Sequence, residues 1–220
     1  MKFDAVLFDC DGVLVDSEPL TIGVLRDLLA ESGWAMTLAE CMRLFVGKTV
    51  MDEAPAIEAR TGRPLTEAWM LEFRARRNHA LQTRLQPVPG IHAAIEVVHA
   101  AYGGRIACAS GADRIKIELQ LEKVALAAYF KGLVFSGHEM PRTKPWPDVY
   151  LAAAAALQAN PARCAVVEDT TTGVRAGVAA GATVFGYAPA TSGHVDAQAL
   201  MEAGAYQTFT GMEQLAGLLV

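Results

Sequence analysis

The feature of this sequence that most restricts its fold is a series of short, continuous apolar runs, most of them separated by helical patterns. The first run covers residues 5–8, and later ones cover residues 105–109, 133–135, 165–167 and 183–187. Runs without polar alternation are typical of strands buried on both faces of a parallel sheet. A helical pattern precedes each of these later runs, at residues 91–101, 113–121, 147–158 and 172–180. This order predicts βαβ units and therefore an α/β fold with a doubly wound, Rossmann-like parallel sheet.

One long stretch, residues 16–86, interrupts this alternation and contains only helical patterns. Ile22, Leu25 and Leu29 share one helical face, and residues 37–40 fit a capping box at the start of another helix. The sequence PVPG at residues 87–90 then marks a turn before the alternation resumes. We therefore predict an all-helical cap domain of residues 16–86, inserted into a core domain of residues 1–15 and 87–220.

Composition restricts the classes of binding partner. The formal net charge is -5, whereas binding along a nucleic-acid backbone requires a basic face. No apolar stretch approaches the roughly 18 residues that a membrane span needs, and residues 1–10 lack the pattern of a signal peptide. The four cysteines form no C-x-x-C pair, which favours reduced thiols over a zinc site or a disulfide framework. We expect a cytoplasmic protein, a monomer or weak homodimer, that binds neither nucleic acid nor membranes.

Polar residues follow four of the predicted strands. Ligands of open parallel sheets bind beyond the carboxyl ends of the strands, so these residues are candidates for one common site. In chain order they are Asp9 and Asp11, Ser110 and Gly111, Lys144 after a loop, and Glu168 with Asp169. Each one alone has an ordinary alternative, such as a helix cap or a solvated charge. Four carboxylates close together resist ionising unless a cation lies among them, and an all-oxygen ligand set favours Mg²⁺ over zinc or copper.

A cluster of carboxylates and Mg²⁺ beside a lysine and a serine suits phosphoryl transfer. That reaction needs charge neutralisation and in-line positioning more than covalent chemistry from the protein. An ionised aspartate can nevertheless attack phosphorus and form an aspartyl-phosphate. A second carboxyl group two residues later can protonate the leaving oxygen and then activate water. The pair Asp9 and Asp11 has this spacing.

Four stretches resemble, in the right order, the four motifs of the haloacid dehalogenase superfamily. They are residues 9–18 (DCDGVLVDSE), Ser110 at the end of a strand, residues 144–148 (KPWPD) and residues 168–177 (EDTTTGVRAG). The resemblance covers the whole chain and is specific because all four stretches occur together. It implies the subgroup with a helical cap after the first motif, which includes β-phosphoglucomutases and 6-phosphogluconate phosphatases.

The resemblance also implies catalytic roles. Asp9 would be the nucleophile and a Mg²⁺ ligand. Asp11 would be the general acid and base, and would bind the metal through its backbone carbonyl. Lys144 would neutralise the nucleophile and the oxygens of the transferred phosphoryl group.

The remaining matched residues would bind substrate and metal. Ser110 and the backbone amide of Gly111 would hold the phosphate, and Asp169 with Glu168 would complete the Mg²⁺ site. Lys48, in a loop of the predicted cap, is the candidate for a further substrate contact. The partner that these roles imply is a small phosphorylated metabolite.

Other activities in this superfamily fit the sequence less well. True dehalogenases and phosphonate-cleaving relatives lack the second aspartate, which is Asp11 here. Relatives resembling β-phosphoglucomutase carry a histidine where this chain has Thr21, and an arginine in the cap loop that here reads GKTV at residues 47–50. A regulatory protein on this fold would be expected to lose a nucleophile or metal carboxylate. We therefore predict a phosphatase for a sugar or sugar-acid phosphate, with a sugar phosphomutase as the alternative.

Overall fold

The computed structural model describes residues 2–190 and 195–220. The chain divides into two compact units, one formed by Met1–Asp16 with Gln86–Val220 and the other by Ser17–Leu85. The strands are β1 (Ala5–Phe8), β2 (Val15–Asp16), β3 (Gln86–Pro87), β4 (Ile106–Ser110), β5 (Val134–Ser136), β6 (Cys164–Glu168), β7 (Thr183–Tyr187) and β8 (Gln207–Phe209). The α-helices are α1 (Glu18–Glu31), α2 (Leu38–Phe45), α3 (Ala54–Thr61), α4 (Glu67–Arg84), α5 (Ile91–Ala101), α6 (Arg114–Lys123), α7 (Asp148–Ala156), α8 (Thr171–Ala179), α9 (Ala197–Glu202) and α10 (Leu215–Leu219).

The larger unit is built on a six-stranded sheet in the order β5-β4-β1-β6-β7-β8. All neighbouring strands in it are parallel, and β1 lies between β4 and β6. The chain therefore builds the sheet outward from β1 in both directions, so the order reverses at this strand. Such a reversal leaves a crevice at the carboxyl ends of the central strands, where ligands bind in open α/β sheets. The predicted doubly wound fold is confirmed.

The side chains of β1 explain why its sequence is apolar without alternation. Successive residues of a strand point to opposite faces, and all four side chains of β1 are buried. Leu7 belongs to a buried cluster that includes Tyr150 of α7 and Val174 of α8. Phe8 faces the ring of Phe130, with the ring centroids 6.1 Å apart. Both faces of the sheet are therefore covered.

The smaller unit contains α1 to α4 and has its own buried apolar cluster. Ile22, Leu25 and Leu29 lie in this cluster, as the helical spacing predicts. Thr37 forms both hydrogen bonds of the predicted capping box with Glu40 at the start of α2. The unit is thus a small helical domain whose core follows from amphipathic spacing.

The prediction that residues 16–86 contain only helices is wrong at the two ends of this stretch. Asp16 and Gln86 are not helical but pair with each other in the antiparallel strands β2 and β3. Strands of two residues are too short to produce a periodic pattern, so the sequence gives no signal for them. Between α2 and α3, the hydroxyl of Thr49 accepts from the backbone amide of Asp52 in a turn, and α3 begins only at Ala54.

Three elements near the chain end were not predicted: β8, α9 and α10. Strand β8 pairs with β7 and stands last in the strand order, so it forms an edge of the sheet. Its three residues include exposed Gln207 and lack the continuous apolar run of the central strands. Over residues 2–190 and 195–220, no helix combines the length and apolarity needed to cross a bilayer.

Candidate active site

The carboxyl ends of three adjacent strands bring the predicted polar residues together. Strand β1 leads directly into Asp9, β4 ends at Ser110 and β6 ends at Glu168. These strands are neighbours in the order β4-β1-β6. The backbone amide of Asp9 donates to the carbonyl of Val167, which continues the pairing of β1 with β6 by one residue. The sheet itself therefore fixes where these residues lie.

Asp9, Glu168 and Asp169 form a carboxylate cluster. Each residue offers one carboxylate oxygen, and the three oxygens lie within 4.8 Å of one another. The residues are only 7%, 0% and 3% exposed, respectively. Burial raises the pKa of Asp9 to about 7, against the opposing effect of Lys144 and with a further contribution from Glu168. Three buried carboxylates this close together resist ionising unless a cation lies among them, which makes the cluster a candidate site for a cation.

Lys144 is the cation within this cluster. Its Nζ donates to Asp9 Oδ1 at 2.7 Å, to Glu168 Oε1 at 2.7 Å and to the carbonyl of Ala109 at 2.9 Å. Burial alone would lower the pKa of Lys144, but Asp9 and Glu168 outweigh burial and hold it well above its usual value. The ammonium therefore stays charged, and all of its protons are used. Three ionised carboxylates and one ammonium would leave a net charge of about -2, which a divalent cation would balance.

Glu168 links the cluster to the start of α8. Its Oε1 accepts from Lys144 and from the hydroxyl of Tyr150 at 2.8 Å. Its Oε2 accepts from the backbone amides of Asp169 and Thr170, at 3.0 and 3.2 Å. A Cβ atom at Gly173 would overlap the carboxylate of Glu168. The glycine in this first helical turn therefore allows the backbone to approach the buried carboxylate.

Asp11 lies next to the cluster but has different partners. Lys116 Nζ donates to both of its carboxylate oxygens, at 2.7 and 2.8 Å. Gln120 Nε2 donates to Asp11 Oδ1 at 2.8 Å. Both partners belong to α6, and neither was identified from the sequence. The available signal was a lysine and a glutamine at i and i+4 on one helix face, where apolar residues would be expected to face the sheet.

The predicted phosphate-binding residues lie in a tightly held loop. Ser110 is buried, and its hydroxyl accepts from the backbone amide of Ala112 at 3.1 Å. Ser136, on the adjacent strand β5, donates to the carbonyl of Ala112 at 2.6 Å. A Cβ atom at Gly137 would lie 3.2 Å from the Cα of Gly111. The loop after β4 is thus held in place by Ser136, the last residue of β5, and by Gly137, which follows it.

Lys48 is not among the residues that the larger unit brings together. It belongs to the smaller unit, in the segment between α2 and α3. Its side chain is half-exposed and forms an ion pair with Glu53 at 3.1 Å. Its predicted contact with substrate stays a prediction.

Comparison with known proteins identifies the family. The sequence model for haloacid dehalogenase-like hydrolases matches residues 3–181. The chain therefore belongs to the haloacid dehalogenase-like hydrolases. It is 28% identical over 186 residues to the 6-phosphogluconate phosphatase of Escherichia coli strain K12, a match that covers 84% of this chain and 82% of that protein. Family and relative together assign the chain to the phosphatases of this family.

Solved structures agree with the family and with the fold. An HAD family hydrolase from Deinococcus radiodurans R1, with bound phosphate and sodium, has a TM-score of 0.82 and 32% identity, covering 100% of this chain and 98% of that one. A putative β-phosphoglucomutase from Thermotoga maritima has a TM-score of 0.79 and 26% identity, covering 98% and 97%. Both likenesses extend over nearly the full length of this chain, including the helical insertion.

Proposed function

We propose that this protein is a Mg²⁺-dependent phosphatase that hydrolyses a sugar or sugar-acid phosphate through an aspartyl-phosphate intermediate. The observation that carries the proposal is the contact of Lys144 with both Asp9 and Glu168 inside a buried cluster of carboxylates. Similarity to a 6-phosphogluconate phosphatase supports the substrate class. The phosphate bound by the Deinococcus relative supports a phosphorylated substrate.

The donor atoms of the cluster fit Mg²⁺, a hard cation that prefers oxygen ligands. Asp9 and Asp169 would hold the ion, together with the backbone carbonyl of Asp11. Glu168 would contribute an oxygen that now accepts hydrogen bonds. A bound Mg²⁺ supplies positive charge that neutralises the carboxylates and the phosphoryl oxygens.

In the first half-reaction, an oxygen of Asp9 attacks phosphorus while the bond from phosphorus to the ester oxygen breaks. Asp11 transfers its proton to that ester oxygen, so the alcohol leaves as a neutral molecule. Lys144 offsets the charge on Asp9 and on the transferred group. Ser110 and the amide of Gly111 hold the phosphoryl oxygens. The products are the free alcohol and Asp9 carrying the phosphoryl group.

In the second half-reaction, Asp11 is an ionised carboxylate and removes a proton from water. The resulting hydroxide attacks phosphorus, the bond to Asp9 breaks, and inorganic phosphate leaves. Asp9 returns to its carboxylate form and Asp11 to its protonated form. We also propose that the helical unit acts as the cap predicted for residues 16–86, with Lys48 as its substrate contact.

A sugar phosphomutase is the second candidate, because the Thermotoga structure named as a putative β-phosphoglucomutase shares the fold at 26% identity. Thr21 and the GKTV sequence at residues 47–50 argue against a mutase. Relatives that resemble β-phosphoglucomutase carry a histidine at the first place and an arginine in the cap loop at the second.

Phosphate release distinguishes the two candidates. The purified protein is incubated with sugar, sugar-acid and nucleotide monophosphates, once with Mg²⁺ and once with EDTA. Release from sugar or sugar-acid phosphates that requires Mg²⁺ is the expected result. Conversion of β-glucose 1-phosphate to glucose 6-phosphate, without release of phosphate, would establish the mutase instead. Equal release with EDTA would rule out the metal-dependent mechanism.

A further inference from the structure

Helix α6 has an inverted polarity. On a helix that packs against a sheet, apolar residues face inward and charged residues face solvent. In α6, Ile115 is 69% exposed, whereas the neighbouring Lys116 is 8% exposed and Gln120 is fully buried. Ile117 and Leu121 complete the buried face. The helix thus packs normally except where a lysine and a glutamine replace apolar residues.

The two inverted residues converge on one carboxylate. Lys116 and Gln120 are four positions apart and therefore neighbours on the helix surface. Together they direct three hydrogen bonds at Asp11, two from Lys116 Nζ and one from Gln120 Nε2, all between 2.7 and 2.8 Å. Lys116 thus contacts both carboxylate oxygens of Asp11.

Gln120 is itself fixed from the other side. Its Oε1 accepts a hydrogen bond from the thiol of Cys10, at 3.5 Å from sulfur to oxygen. This contact and the one to Asp11 require opposite ends of the amide, so they also fix which end is nitrogen. Because Cys10 and Asp11 are adjacent in the chain, Gln120 holds two consecutive residues of the loop that follows β1.

Burying Lys116 and Gln120 is unfavourable for stability, so their presence needs another explanation. Removing an ammonium and an amide from water requires compensating hydrogen bonds. The side chains of Lys116 and Asp11 are only 10% and 22% exposed, and an ion pair so largely buried often stabilises a fold no more than apolar residues of the same size. A leucine or methionine at these positions would pack in α6 without that cost. The two residues are explained if they fix the position of a particular group, which here is the carboxylate of Asp11.

We infer that Lys116 and Gln120 are positioning residues that fix the carboxylate of Asp11 for proton transfer to the leaving oxygen. The inference rests on the proposed function, in which Asp11 is the general acid. When Asp11 gives its proton to the ester oxygen, it becomes the carboxylate that three hydrogen bonds from these residues hold. Lys116 and Gln120 therefore act on the step in which the alcohol leaves, through Asp11 and without touching the phosphoryl group.

The consequence is a dependence on the leaving group. An alkyl phosphate needs a proton on its departing oxygen, whereas p-nitrophenyl phosphate releases a stable phenolate without one. Loss of Asp11 positioning should therefore slow the alkyl substrate far more than the nitrophenyl substrate. A general loss of structure would slow both to the same extent.

The experiment compares Lys116→Met and Gln120→Leu with the wild type and with Lys123→Met, an exposed lysine in the last turn of the same helix. Single-turnover rates of leaving-group release are measured with Mg²⁺ on p-nitrophenyl phosphate and on an alkyl phosphate, which is the sugar or sugar-acid phosphate hydrolysed fastest by the wild type. We expect Lys116→Met to slow the alkyl substrate by about 10²-fold, the size of a general-acid contribution, and the nitrophenyl substrate much less. Gln120→Leu should show the same selectivity with a smaller loss, and Lys123→Met should match the wild type on both substrates.

A double-mutant cycle with Asp11→Asn separates positioning from packing. If Lys116 acts through Asp11, Lys116→Met should slow alkyl turnover no further once Asp11 is already Asn. Equal losses on the two substrates, or additive losses in the cycle, would overturn the inference while leaving the proposed phosphatase intact. A wild-type protein that releases phosphate from no sugar or sugar-acid phosphate with Mg²⁺ would overturn both.

Discussion

The two compact units bury polar side chains in different ways. In the helical unit Ser17–Leu85 the buried cluster is apolar, and charged residues such as Arg76 pair with acids on the surface. In the larger unit, charged and amide groups lie inside, at the carboxyl ends of the central strands. Among the residues that the structure describes, the buried polar ones of this unit are Asp9, Ser110, Lys116, Gln120, Ser136, Glu168 and Asp169.

The difference shows where each unit departs from the most stable arrangement. Burying a charge is unfavourable unless it is paired and hydrogen-bonded. The helical unit buries less charge: among its described residues Arg77 is the buried charged one, and its guanidinium donates to the side-chain oxygen of Asn78. The larger unit accepts this cost at one edge of its sheet, around Asp9 and Lys144. Substitutions at that edge should therefore change activity first, and substitutions elsewhere should change at most stability.

Replacing Asp9 by Asn tests this difference most severely. We expect phosphate release to fall by at least about 10⁴-fold, because the amide cannot attack phosphorus and nucleophile losses in enzymes are of this size or larger. The fold should survive, since the substitution removes a buried charge without changing shape. Rates of phosphate release and the circular dichroism spectrum are the measurements. The control is Asp4→Asn, which breaks a surface ion pair with Arg163. A substantial rate of phosphate release by Asp9→Asn would show that Asp9 is not the nucleophile.

Gly173→Ala should change both stability and activity. The added methyl overlaps the carboxylate of Glu168, and overpacking of this kind costs about 1–3 kcal/mol. A displaced Glu168 would also release Lys144, so kcat should fall. Urea unfolding and steady-state kinetics measure the two effects. The matched control is Gly217→Ala in α10, where nothing lies within 4 Å of the new Cβ, and which should be neutral or slightly stabilising. Equal behaviour of the two variants would contradict the close approach at α8.

The sign of a pH effect follows from the raised pKa of Asp9. Its folded pKa is about 7, against an ordinary value of 3.8. A carboxyl group with a raised folded pKa favours folding while protonated and opposes it once ionised, so this contribution is lost as pH rises from about 4 through 7. In EDTA, Asp9→Asn should therefore gain thermal stability relative to the wild type between about pH 5 and about pH 8. Melting temperatures of both proteins at these two pH values give the answer; an unchanged difference would contradict the raised pKa.

The smallest effect is expected in the helical unit. Arg76 pairs with Glu31 and Glu72, both at 2.6 Å, on a surface open to solvent. Surface ion pairs contribute little because water and salt screen them. Arg76→Ala should therefore leave the melting temperature close to that of the wild type, and turnover unchanged. A loss comparable to that of Gly173→Ala would mean that charges stabilise both units alike.

The sequence predicts the two units to different depths. Strands β1 and β7 and helix α5 were predicted with their observed bounds, because a continuous apolar run or a long amphipathic pattern defines each of them. In the helical unit, residues such as Ile22 were correctly placed in the core. Local periodicity is sufficient there, because each helix buries one apolar face.

The candidate site could be predicted only in part from the sequence. The strand-end rule correctly placed Asp9 beside Ser110 and Glu168, since neighbouring strands end at the same edge of the sheet. It could not find the contact of Lys116 with Asp11, which joins residues 105 positions apart. A helical pattern indicates which residues share a face, but the partner of that face depends on how the sheet is ordered. The buried lysine of α6 contradicts its local pattern, as residues at functional sites often do.

The short pairing of β2 with β3 has a consequence for how this architecture can vary. Asp16 and Gln86, the last residue before the helical unit and the first after it, are direct partners in this ladder. The sheet-bearing unit therefore closes on itself at the point where the chain departs and returns, and the whole excursion is topologically a single loop with fixed ends. The entropy of closing a loop grows only slowly with its length. Inserted segments of different length can therefore be joined here without changing the pairing of the sheet strands. A related protein can carry a different helical unit while the residues at the strand ends keep their positions.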